Sequence, residues 1–105
     1  MGQFQRDAVK VFKALGDPTR YRIILLLMER KELGCADFAE QFDLTLPAMS
    51  HHYRVLENAG LVFPRKQGNH IFLRLDEAQL RRFMPEFEHA HLGSAAEAKP
   101  GAGAE

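Results

Sequence analysis

The period of the apolar residues changes along this chain, and that change restricts the fold more than any other feature. Up to Asn58, apolar side chains recur at spacings of three and four. Beyond Gly60 they fall into two short blocks, Leu61-Val62-Phe63 and Ile71-Phe72-Leu73, flanking the turn residues Gln67-Gly68-Asn69. Helical spacing returns after Asp76, with Leu80, Phe83, Met84 and Phe87. The chain therefore reads as mainly α with one small β-hairpin.

Local signals divide the first part into four helices. A stripe of Ala8, Val9, Phe12 and Leu15 predicts a helix over 5–15, ended by Gly16. Asp17 caps the next, 18–30, with Pro18 in its first turn. Ile23, Ile24, Leu26, Leu27 and Met28 make that helix apolar on more than half its circumference, so it belongs at the centre. A short third helix, 35–42, points Phe38 and Ala39 inward. Thr45 caps the fourth, 46–58, whose inward stripe is Met49, Tyr53 and Leu56, with a Gly60 C-cap. Its other side shows Pro47, Ser50, His51, Arg54 and Asn58. Pro85 interrupts the last helical pattern, which is either one kinked helix or two short ones breaking after Phe83. From Gly93 the chain is small, polar and low in complexity, which predicts a disordered tail over 93–105 behind one domain, 1–92.

Several classes fall away. The longest apolar run, Ile23 to Met28, is six residues, against roughly 20 for a bilayer-crossing helix. The first twelve residues interleave charge with apolar side chains and lack a signal-peptide core, and Arg6 stands where a myristoylation signal wants Ser or Thr. A single cysteine, Cys35, cannot close an internal disulfide, which fits a reducing cytoplasm. For catalysis there is little: Ser50 and His51 are adjacent and so point to different helix faces, and neither a Gly-rich phosphate loop nor HExxH occurs. Enzyme function is not expected.

Net charge is zero, with 14 basic and 14 acidic residues, an awkward number for a nucleic-acid binder. By segment, however, the charge is +3 over 1–28, −3 over 29–45, +3 over 46–75 and −3 over 76–105. A phosphate-seeking surface needs local charge, not a positive total. The third and fourth helices with their tight turn are a helix-turn-helix candidate, and the hairpin after them adds a wing.

Three blocks in order, ALGDPTRYRIILLL, CADFAEQFDLTLPAMSHHYRVLENAGLV and RKQGNHIFLRL, make the chain resemble the ArsR/SmtB family of winged helix-turn-helix repressors. The likeness runs from about Phe12 to Leu75. It implies a homodimer of four helices, two strands and a fifth helix, joined through the first and last helices. It also implies double-stranded inverted-repeat operator DNA as partner, released when an inducer biases the dimer geometry.

On this reading the fourth helix lies in the major groove. Ser50, His51, His52 and Arg54 are its candidate base readers, with Thr45 and Pro47 at its start near phosphate. His52 stands closest to the core stripe. In the wing, Arg65, Lys66, Gln67, Gly68, Asn69 and His70 suit phosphate or minor-groove contact. Arg20 and Arg22 either pair with acids or reach phosphate.

Sensor residues are incomplete. In arsenic-sensing members three cysteines lie in a stretch resembling ELCVCDLC; here those positions are Gly34, Ala36 and Ala39, and Cys35 falls on the valine. The thiolate trio is absent. Of the family's last-helix zinc set, Asp76 and His89 match two positions, while Ala78 and Leu92 replace the others. Asp76, His89 and His91 remain the metal candidates, with zinc as the cofactor they would hold. Cys35 is either a thiol sensor or a small half-buried packing residue. The rival to DNA binding is a dimeric interaction module built on Phe4, Phe12, Phe83 and Phe87.

Overall fold

The computed structural model describes residues 1–91; the expected tail lies outside them. Helix α1 (Gln3–Leu15) begins two residues earlier than expected, and α2 follows at Pro18–Glu29. Asp17 caps α2 as its sequence position requires, its carboxylate accepting the Arg20 backbone N–H at 3.0 Å. Ile23 and Ile24 are fully buried and Leu27 nearly so, which makes α2 the central helix.

On α1 the stripe read from the spacing divides between two faces. The residues buried within the chain are Val11, Ala14 and Leu15, whereas Val9 and Phe12 are 38% and 53% exposed. The helix carries two apolar faces, and periodicity alone cannot say which one meets the chain's own core. The outward face joins Phe12 and Val9 to Phe4, whose ring stands 4.9 Å from that of Phe83.

Helices α3 (Cys35–Gln41) and α4 (Leu46–Asn58) meet across a turn in which Asp43 takes the left-handed conformation, φ 56°. Thr45 Oγ1 accepts the Ala48 N–H at 3.2 Å and sets the start of α4. Its end is a Schellman closure: Gly60 N–H donates to the Glu57 carbonyl at 2.8 Å, and Leu61 N–H to that of Leu56 at 3.0 Å. Gly60 sits at φ 76°, as an αL cap demands. Phe38, Met49, Leu56 and Tyr53 bury both helices in the same core as α2.

An unexpected two-residue strand, β1 (Leu33–Gly34), precedes the hairpin of β2 (Val62–Gln67) and β3 (His70–Leu75). The antiparallel order is β1-β3-β2, with Gly34 opposite Phe72 and Arg65 also opposite Phe72 on the other side. Two residues carry no periodicity, so β1 was invisible until its partner was in place. The strands of the hairpin run to its tip, where Gln67 faces His70 and Gly68 has φ 61°. A glycine at the first central position is what a type II′ turn asks for. Pro64 lies in β2 at the sheet edge, where its missing N–H is tolerated.

The last helical pattern resolves into two helices, α5 (Glu77–Phe83) and α6 (Phe87–Ala90). Met84, before Pro85, leaves the helical region at φ −135°, ψ 68°. Asp76 caps α5, its Oδ1 accepting the Gln79 N–H at 3.1 Å, and the Gln79 amide reaches back to the Ala59 carbonyl at 3.0 Å.

That contact generates a test. A Cβ on Gly60 would stand 2.9 Å from Gln79 Nε2, while one on Gly68 meets nothing within 4 Å. Gly60→Ala should therefore cost about 1–2 kcal/mol from the left-handed backbone alone, plus the displacement of Gln79. Gly68→Ala should show the conformational part without that addition. Urea unfolding of the two variants checks the order.

Candidate nucleic-acid interface

The face of α4 turned from the core is a polar surface with one apolar member. His51 and Arg54 are exposed, Ser50 is half-buried, and Thr45, Leu46 and Pro47 stand exposed at the start. The Arg54 guanidinium lies 5.7 Å from the Tyr53 ring centroid, which holds its stem along the helix. Lys66, Gln67, Gly68, Asn69 and His70 are exposed at the hairpin tip, as the wing reading expected of them. Between the first turns of α3 and α4 and strand β3 runs a groove of about 500 Å³, whose lining includes Cys35, Asp37, Leu46, Ser50, Tyr53 and His70. Leu46 was absent from the sequence-derived set, because an apolar residue at a helix start carries no hydrogen-bonding signature.

Two expected contact residues are otherwise engaged. The His52 side chain is only 15% exposed and points back to α2. Its Nδ1 stands 3.2 Å from an Arg20 guanidinium nitrogen and 3.9 Å from the Asp17 carboxylate. Lying between Met49 and Leu56, it occupies the border of the core stripe, where burial wins. Arg20 also donates to the Ala14 carbonyl at 2.8 Å and to that of Lys13 at 3.4 Å. It thereby ties the end of α1 to α4 and is no phosphate ligand in this geometry. Arg22 rests over the Phe42 ring at 4.7 Å. Arg65 lies two residues before the turn rather than at the tip, and donates to both Glu32 oxygens, at 2.8 and 2.9 Å, and to Gln67 at 2.8 Å. The bond to Arg65 lowers the Glu32 pKa, and a carboxylate 33 positions away could not be paired with it from sequence.

Of the sensor candidates, Asp76 and His91 are likewise used by the fold. Asp76 is the α5 cap. His91 Nδ1 lies 3.0 Å from the Phe87 carbonyl and Nε2 lies 2.6 Å from the Tyr21 hydroxyl; the first donates, so the second accepts. His89 is exposed on α6, beyond the Pro85 break that separates it from Asp76. Glu88 is held by Arg81 at 2.6 Å. These residues do not fit a last-helix zinc set: one member is a cap, Ala78 and Leu92 supply no donor, and the helix is not continuous. Cys35 is half-buried, and burial pushes its thiol up from the usual 9.0 to about 11. A raised pKa disfavours the thiolate, and Cys35 packs against the core. Among the described residues, no helix is long and apolar enough to cross a membrane.

Comparison with known proteins bears on what this arrangement is. A helix-turn-helix domain family matches residues 15–62. The chain is 35% identical over 92 residues to a cadmium resistance transcriptional regulatory protein CadC homolog of Staphylococcus aureus, spanning 83% of this chain and 76% of that protein. It is 40% identical over 67 residues to the arsenical resistance operon repressor of Escherichia coli K12, 64% of this chain and 57% of the other. Among solved structures, a homodimeric winged helix-turn-helix DNA-binding domain from Mycobacterium bovis superimposes with a TM-score of 0.68 at 24% identity, covering 95% of this chain and 93% of that one. The fold is that of a winged helix-turn-helix protein. The chain belongs to the ArsR/SmtB family and is a DNA-binding transcriptional regulator.

The His52 junction has a pH consequence. Burial lowers the His52 pKa, Arg20 and His51 add to that, and Asp17 opposes it. The folded chain thus takes up this proton less readily than the unfolded one. Its contribution to stability is complete above the ordinary value of 6.5 and is lost as pH falls through the lowered one. The melting temperature should drop between about pH 7.5 and 5.5. His52→Asn, which keeps an acceptor but does not titrate, should show a smaller drop. An equal drop places the proton uptake elsewhere.

Proposed function

We propose that this chain is a homodimeric repressor that binds an inverted-repeat operator and leaves it when an inducer binds. The observation that carries this reading is the exposed polar face of α4 beside an exposed wing tip, within the stretch 46–75 that carries +3. Ser50, His51 and Arg54 read base edges in the major groove, and Thr45 and Pro47 meet phosphate at the helix start. Lys66, Gln67, Gly68, Asn69 and His70 follow the neighbouring backbone or minor groove. His52 and Arg65 act by positioning, one fixing α4 to α2 and the other fixing the wing to the segment before β1.

Dimerisation uses the outward face of α1 together with α5 and α6. Phe4, Val9 and Phe12 form an exposed apolar face that a chain of this size has no second layer to cover. Arg82 caps its edge, lying 5.2 Å over the Phe4 ring and 3.9 Å from Asp7. Residues 1–92 form the DNA-binding and dimerisation unit, and 93–105 an appended tail. We place the inducer outside the thiolate trio and the last-helix zinc set, because this chain lacks the donors for either.

Binding to a duplex selected from a random-sequence library tests this. With two to four phosphates neutralised per dimer, affinity should fall about 10- to 100-fold between roughly 50 and 200 mM salt. The double variant His51→Ala, Arg54→Ala should lose about 1–3 kcal/mol or more of sequence discrimination while remaining dimeric in sedimentation. Phe12→Asp should yield monomer and lose the operator. Retained discrimination in the double variant would remove α4 from the reading role.

A further inference from the structure

We infer that Leu46 is a specificity-determining residue that reads the 5-methyl group of a thymine in each operator half-site; this rests on α4 being the helix that enters the major groove. Leu46 is the first residue of α4, directly after the Thr45 cap, and is 60% exposed. Side chains at the N-terminal end of a recognition helix are the ones that reach base edges. Among the described residues the other large exposed apolar side chains have a local explanation. Met1, Phe4, Val9 and Phe12 belong to the outward face of α1 and its approach, and Phe63 lies beneath the Arg74 guanidinium at 5.9 Å. Leu46 has none.

Its surroundings name the occupant. Leu46 and Ser50, one helical turn apart, line the groove of about 500 Å³ whose far side carries Asn69 and His70 of the wing. Arg54 and His51 are exposed on the same helix, and Lys66 is exposed at the wing. Phosphates drawn to those groups bring a duplex, rather than an apolar protein surface, over the first turn of α4. Leucine has no donor or acceptor, so it gains nothing from the polar edges of adenine, guanine or cytosine. The apolar group that unmodified DNA displays in the major groove is the thymine 5-methyl. Burying one methyl against an isobutyl side chain favours that base by roughly three- to ten-fold.

The experiment uses the full chain and a duplex selected by it from a random-sequence library. A thymine should appear at one fixed position in each half-site. Replacing that thymine by deoxyuridine, which removes only the methyl, should weaken wild-type binding about three- to ten-fold. Leu46→Ala should bind thymine and deoxyuridine duplexes equally, and Leu46→Gln should shift the selected base toward adenine. Ser50→Ala should keep the methyl sensitivity. Because Leu46 is exposed, unchanged melting of its variants separates recognition from folding. A selected site without a fixed thymine, indifference of the wild type to the methyl, or methyl sensitivity surviving in Leu46→Ala overturns the inference while leaving DNA binding intact. Failure to enrich any sequence overturns the reading of α4 as well.

Discussion

One guanidinium sets the relation between the outward faces of α1 and α4. Arg20 donates to the Ala14 carbonyl at the end of α1 and faces His52 on α4, while its own N–H is held by Asp17 at the start of α2. The last carbonyls of a helix have no partner within it, and a cation there also suits the helix dipole. Around this polar link Val11, Ala14, Ile23, Ile24 and Met49 are buried in one cluster. Interiors packed at that density transmit displacement rather than absorb it. The apolar outward face of α1 and the polar outward face of α4 are thus fixed at one mutual angle. For a dimer joined through α1, that angle becomes the spacing between two recognition helices.

The parts of this arrangement governed by local chemistry were legible in the sequence. Asp17, Thr45 and Gly60 each satisfy a helix end with their own side chain or backbone, so helix boundaries near them could be read directly. The hairpin announced itself through the change of period and Gly68-Asn69. What could not be read depends on distant partners. β1 exists through its pairing with β3. The direction of His52 is settled by Arg20, 32 positions earlier, and that of Arg65 by Glu32, 33 positions earlier. The stripe on α1 was visible, but a helix apolar on two sides does not say which side stays inside. The same ambiguity hid Leu46, whose exposure is a fact of packing and not of composition.

The last helical stretch shows how candidate metal ligands are put to structural use. Pro85 divides it, so Asp76 and the histidines no longer share one helix. Asp76 caps α5, and His91 pins α6 to α2, its ring stacked 4.5 Å from Phe87 and bonded to the Tyr21 hydroxyl. A side chain that satisfies a helix end or a buried hydroxyl leaves an unpaired polar group behind if it is drawn away to a metal, and that cost opposes recruitment. The fold thus stabilises the arrangement in which these residues hold α5 and α6 in place.

Charge completes the argument. A neutral total gives weak attraction to phosphate at long range, so the orientation of approach must come from the distribution. The acidic stretch 29–45 includes the exposed residues Glu40 and Asp43 at the end of α3, and α5 and α6 add Glu77 and Glu86. Acidic residues there disfavour the approach of phosphate, while Arg54 and Lys66 on the proposed interface favour it. In the proposed binding mode, repulsion elsewhere takes over part of the aiming that a large positive charge does in other DNA-binding proteins, at less cost in indiscriminate binding. In that proposed mode, affinity for a particular site then rests on a small number of contacts at the start of α4. There the loss of one apolar contact is a large fraction of the discrimination, because little non-specific attraction remains to mask it.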